Sequence, residues 1–74
     1  MDTRRPPTYL AVRLATNVRA RRNKLGISQE ELARRCELHR TYVGAVERGE
    51  RNVSLAVLEA LAKGLDCEPP LLLT

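Results

Sequence analysis

The chain has 74 residues, a formal net charge of +4, 30% charged residues, two cysteines, two tyrosines and neither Phe nor Trp. So short a chain makes one small domain, which buries only about 60% of the surface its unfolded form exposes. Its core must be Leu, Val and Ala, and two cysteines are too few for a disulfide framework.

The charge is unevenly placed. Arg4, Arg5, Arg13, Arg19, Arg21, Arg22 and Lys24 lie between Thr3 and Gln29, with no Asp or Glu among them. A basic surface of this kind suits a polyanion, nucleic acid first and an anionic membrane second; the plainer reading is a solubilising face. There is no CxxC, a single histidine and no metal-ligand spacing. No apolar run approaches the ~20 residues of a membrane span, and no signal sequence follows the basic N-terminus. The expectation is a soluble, cytoplasmic protein with reduced thiols, no metal, no cofactor and no small-molecule ligand.

Residues 1–7, MDTRRPP, read as a flexible arm, and residues 8–74 as the folded domain. From Thr8 the pattern turns helical: Leu10, Leu14 and Val18 recur at intervals of four, with Ala11 and Ala15 beside them. Gly26 supplies the stop. SQEE follows, in which Ser28 and Glu31 have the spacing of a capping box and start a second helix with Leu32, Ala33 and Cys36 on its inner face. The apolar phase breaks at Glu37-Leu38. A third helix runs from about His39, its cap, to Arg48, with Val43 and Val46 inward and Gly49 closing it. Ser54 caps a fourth helix with a stripe of Leu55, Leu58, Leu61, Ala62 and Leu65. Proline suits the first position of a helix, so a short fifth begins at Pro69. The chain is all-α.

Two short helices separated by a tight turn cannot stand alone and must brace each other. With Val43 and Val46 inward, Arg40, Thr41, Gly44 and Arg48 are expected to face solvent. A helix tip fits the major groove of B-DNA, where Arg can bond guanine O6 and N7 and Thr can meet a thymine; the alternative for Arg40 is a solvated arginine. Gln29 at the start of the second helix suits a phosphate, as do Arg48, Arg51 and Asn52 after the third. Tyr42 either bonds a phosphate or packs as a half-buried ring. Gly44 marks either a close approach or a neutral surface position. No serine, cysteine or carboxylate constellation surrounds His39, so the sequence does not read as an enzyme.

From ISQEELARRCELHRTYVGAVERGERNVSLAVLEALAKGLDCEPPLLL the chain resembles the Cro/C1-type (XRE-like) helix-turn-helix family, and most of all the controller proteins of restriction–modification systems. The resemblance implies a compact five-helix, lambda-repressor-like domain whose second and third helices form the helix-turn-helix. It implies a homodimeric transcriptional regulator that binds double-stranded DNA at a near-palindromic operator and controls its own operon and a restriction–modification system. On this pattern Arg40 and Thr41 read bases, while Gln29, Tyr42, Arg48 and Asn52 touch the DNA backbone. Arg22 and Glu47 form an ion pair between the first and third helices. Glu37 stands where relatives carry glycine, at a position that needs positive φ. The C-terminal part carries the dimer contact, for which Leu71, Leu72 and Leu73 supply an apolar end. The competing function is an antitoxin-like or other protein–protein module on the same fold.

Overall fold

A computed structural model describes residues 5–74 of the chain. It contains four α-helices, α1 (Tyr9–Leu25), α2 (Gln29–Cys36), α3 (Arg40–Glu47) and α4 (Leu55–Gly64), followed by a 3-10 helix, Pro69–Leu73. The fifth element is therefore not an α-helix. Pro69 and Pro70 have no N–H to give, and the segment closes on an i→i+3 bond from Leu71 N to Glu68 O of 3.0 Å.

Each helix begins where a side chain can take a free backbone N–H. Thr8, Ser28, His39 and Ser54 are N-caps in extended conformation, and their side chains accept from Ala11, Glu31, Thr41 and Val57 N–H respectively. Only half of the capping box forms at Ser28. Glu31 does not reach back to the cap; its carboxylate lies 2.6 Å from Arg34 Nη2 and 3.0 Å from Arg35 Nε. Two cations one turn ahead outcompete a single backbone N–H. They hold the Glu31 carboxyl at about 2, below its ordinary 4.5, with Arg34 contributing first and Arg35 second.

The helix ends follow the same local logic. Gly26 ends α1 at φ 71° and Gly49 follows α3 at φ 74°. Glu37 ends α2 at φ 56°, the left-handed region that favours glycine. Its N–H still donates to Ala33 and Arg34 carbonyls, so the cap forms at the cost of strain.

The core runs through all four helices: Leu14 and Val18 of α1, Leu32, Ala33 and Cys36 of α2, Val43 and Val46 of α3, and Leu58, Leu61 and Ala62 of α4, with Leu65 beyond. Helix α2 packs on α3 and α4, and α1 packs on α3 and the 3-10 helix. Two stripe positions differ from the sequence expectation. Leu10 and Leu55 each sit at a helix start, before a neighbouring element covers that face, and both are exposed, Leu55 by 80%. Val57 takes the buried place in α4. Where α2 meets α4 the helices nearly touch: a Cβ on Gly64 would lie 2.5 Å from Cys36 Sγ.

The C-terminal segment is fastened by polar residues of α1. Asn17 Nδ2 donates to Leu72 O at 3.0 Å and Arg21 Nε to Leu65 O at 3.0 Å, and Arg13 donates to Thr74 O. Arg13, Asn17 and Arg21 are spaced by four, so one face of α1 carries all three. This clamp was not anticipated, although the spacing is visible in the sequence. It has a consequence for the expected apolar end: Leu72 is 1% exposed, packed inside the chain's own core, with no side-chain surface left to offer a second copy.

Replacing Glu37 by glycine relieves the positive-φ strain in the turn between α2 and α3. The expected result in chemical denaturation is a gain of about 1 kcal/mol with unchanged helix content; a loss would show that the turn is not strained.

Candidate nucleic-acid interface

The helices that present the candidate interface are tied together at a carboxylate. Glu47, at the end of α3, is 3% exposed. Arg22 of α1 meets it as a fork, Nε to Oε2 at 2.6 Å and Nη2 to Oε1 at 3.0 Å. Gln29 of α2 adds Nε2 to Oε1 at 3.0 Å. Arg22 Nη1 also donates to Ile27 O at 2.9 Å, so the α1–α2 loop joins the same node. The hydrogen bond it donates to Glu47 raises the Arg22 guanidinium above its ordinary value, against the lowering effect of its burial. A buried charge is tolerated only when its lone pairs are filled, and here three donors from two helices fill them.

This node sets where the tip of α3 points. With Val43 and Val46 turned inward, Arg40 and Thr41 are exposed at the N-terminal end of the helix, beyond the His39 cap. Gly44 is not on the solvent side, as the sequence suggested; it is buried. An ideal Cβ there would stand 3.2 Å from Arg48 Nη1 and 3.6 Å from Gln29 Oε1. Glycine lets the two polar side chains converge over the middle of α3.

The remaining cations and polar groups lie around that tip. Arg48 caps α3 and is paired with Glu50, Nε to Oε2 at 3.0 Å. Tyr42 is half-buried against the core, and the Arg51 guanidinium lies 5.9 Å from its ring centroid. The Gln29 amide nitrogen is held by Glu47, and its Oε1 lies over Gly44, 3.6 Å from where a Cβ would stand. Asn52 acts as a fastener within the fold. Its Oδ1 accepts from Thr8 N at 2.9 Å, and its Nδ2 donates to Arg5 O at 3.2 Å and Pro6 O at 2.9 Å. Residues 5–7 of the expected free arm are thus tied to the α3–α4 loop, while residues 1–4 lie outside the described residues. The Gln29–Glu47 bond and the Arg48–Glu50 pair went unseen in the sequence; the alternating charges of VERGER are the one signal of the second.

Comparison with known proteins places this fold in a family. The helix-turn-helix family model matches residues 18–72. The control protein C.SmaI of Serratia marcescens is 57% identical over 82% of this chain and 73% of that protein. The crystal structure of the restriction–modification controller protein C.AhdI from Aeromonas hydrophila is 48% identical, covers 84% of this chain and 94% of its own, and has a TM-score of 0.81. The controller protein C.Esp1396I, solved as a tetramer with its natural 35 base-pair operator, is 31% identical over 88% of this chain and 86% of its own, with a TM-score of 0.81. The chain belongs to the helix-turn-helix family, among the restriction–modification controller proteins. Among the described residues no helix is long and apolar enough to cross a membrane, and no cluster of three or more His, Cys, Asp or Glu is placed to hold a metal ion.

Removing the Glu47 carboxylate strands the Arg22 guanidinium and frees the Gln29 amide. Glu47→Ala is expected to destabilise the domain by about 3 kcal/mol in chemical denaturation. A cost below about 1 kcal/mol would show that the node does not hold the helices together.

Proposed function

We propose that this chain is a sequence-specific DNA-binding transcriptional regulator that acts as a homodimer on a near-palindromic operator, controlling its own operon and a restriction–modification system from the cytoplasm. The observation that carries the reading is the placement of Arg40 and Thr41, exposed at the tip of α3 with Arg48 and Arg51 behind them. The tip enters the major groove; Arg40 reads guanine through O6 and N7, and Thr41 meets a neighbouring base. Arg48, Arg51 and the free backbone N–H groups at the start of α2, beside Gln29, bear on the phosphates, which set register without carrying sequence information; Tyr42, whose hydroxyl is buried, instead supports Arg51 through its ring. Asn52 contributes by fixing the loop that presents Arg51. The chain's likeness to controller proteins, one of them solved on its operator, supports the same assignment.

Two copies are needed because one tip reads too few bases for an operator. The apolar surface left open is the one for a second copy. A groove of about 330 Å³ is lined by Leu10, Leu14, Val53, Leu55, Leu58 and Leu73, and Leu71 is 49% exposed on the 3-10 helix. Leu71 and Leu73 thus keep the interface role that Leu72 loses, and Leu55 and Leu10 join them. A two-fold axis there sets the two α3 tips about 34 Å apart, one turn of DNA.

The test is binding to duplexes drawn from the DNA flanking the chain's own gene, over competitor and across salt. Arg40→Ala is expected to lose about 1–3 kcal/mol and the preference at one base pair per half-site, whereas Arg48→Ala weakens all sequences alike. Identical behaviour of the two variants would overturn the division of roles. Leu55→Glu is expected to give a monomer in sedimentation with unchanged circular dichroism and much weaker operator binding; a persistent dimer would move the interface elsewhere.

A further inference from the structure

Arg48 does not face the DNA with an open guanidinium. Gly49 follows it at φ 74°, which reverses the chain and brings Glu50 alongside. The carboxylate then takes two of the guanidinium's edge positions, Nε to Oε2 at 3.0 Å and Nη2 to Oε1 at 3.2 Å. This is the fork that an arginine offers to a phosphate. The third nitrogen, Nη1, lies over Gly44, 3.2 Å from where a Cβ would stand. Both side chains are more than half exposed, so the pair can open without disturbing the core. The hydrogen bond from Arg48, and after it the charges of Arg48 and Arg51, keep the Glu50 carboxyl below its ordinary range and hence ionised near neutral pH.

Resting on the DNA-binding function proposed above, we propose that Glu50 is an internal competitor for the DNA phosphate at Arg48 and thereby limits the affinity of the domain for DNA. A phosphate reaches the Arg48 fork only by displacing a carboxylate of the same shape and sign. Counterions released from DNA drive much of protein–DNA affinity. At Arg48 part of that gain is offset, because the displaced carboxylate must recruit a cation of its own. Phosphate contacts supply nearly all non-specific binding, and a genome offers a vast excess of non-specific sites. An acid on the phosphate-facing loop therefore keeps the regulator from being held on unrelated DNA.

The experiment uses the full chain and its Glu50→Gln variant, which keeps the side chain's shape and removes its charge. Affinity is measured by fluorescence anisotropy on a duplex from the flanking DNA of its own gene and on a scrambled duplex of equal length, over a salt series. The expected result is tightening of about three- to ten-fold on both duplexes at low salt, with the log K against log salt slope steeper by about 0.9 per protomer. In an Arg48→Ala background the same substitution is expected to give less than half that gain. Unchanged or weaker binding by Glu50→Gln overturns the inference, as does an equal gain without Arg48. If the parent chain does not prefer its own flanking DNA, the regulator reading fails and takes this inference with it; if it does and Glu50→Gln binds no tighter, only the role of Glu50 falls.

Discussion

The buried carboxylate of Glu47 constrains the rest of the domain. Taking an ion of that size out of water costs several kcal/mol, and only well-placed donors restore the loss. Arg22 comes from α1 and Gln29 from the first turn of α2, so satisfying one side chain fixes three helices relative to each other. The ends of α3 then have different duties. Its last residue anchors the helix in the fold, and its first two stand out from it. Orientation of the exposed tip is thus decided about two turns away, by a buried cluster.

The same economy appears in the core. Without Phe or Trp, close packing depends on backbones coming near each other, and small residues make that possible. Gly64 lets α2 and α4 approach within contact of Cys36, and Ala33, Ala45 and Ala62 are all buried. Burial pushes the Cys36 thiol up, which keeps it a packing group in place of a nucleophile. Such a core is small, and the domain adds polar fasteners to it. Arg13, Asn17 and Arg21 hold backbone carbonyls at the C-terminal side, and Asn52 holds them at the N-terminal side. Both clasps bind main chain, so they fix segments that lie outside the four α-helices. What remains uncovered is the groove around Leu10, Leu55 and Leu58, a surface that a lone chain of this size cannot close.

Electrostatics on the DNA-facing side balance attraction with restraint. Arg40 stands open, whereas Arg48 is met by Glu50; elsewhere on the surface Arg34 and Arg35 are met by Glu31. A net charge of +4 draws the domain to DNA, yet several of its cations begin already paired. The open arginine is the one proposed to read a base, and the paired ones include the one proposed to hold a phosphate. On that proposal the division favours contacts that carry sequence information over contacts that do not.

Features governed by neighbours along the chain were legible in the sequence. Ser28, His39 and Ser54 as caps and Gly26 and Gly49 as stops follow from backbone chemistry within four residues, and the structure places each of them so; the strained turn at Glu37 was legible only through the family resemblance. The inward faces of α2 and α3 were legible too, because their period repeats over a full helix. Leu10, Leu55, Gly44 and Leu72 were not, since periodicity says which residues share a face but not how far a covering neighbour extends along it. Leu10 and Leu55 lie beyond that cover, while Gly44 sits beneath Arg48 and Gln29, and Leu72 is drawn in by a clamp on α1. The hydrogen bonds of Gln29 and Asn52 were equally hidden, because an amide that suits a phosphate also suits any carboxylate or carbonyl the fold brings near. Local backbone preferences and helical period were therefore set by the sequence alone, whereas burial at element ends and the partner of each polar side chain were decided only when distant segments met.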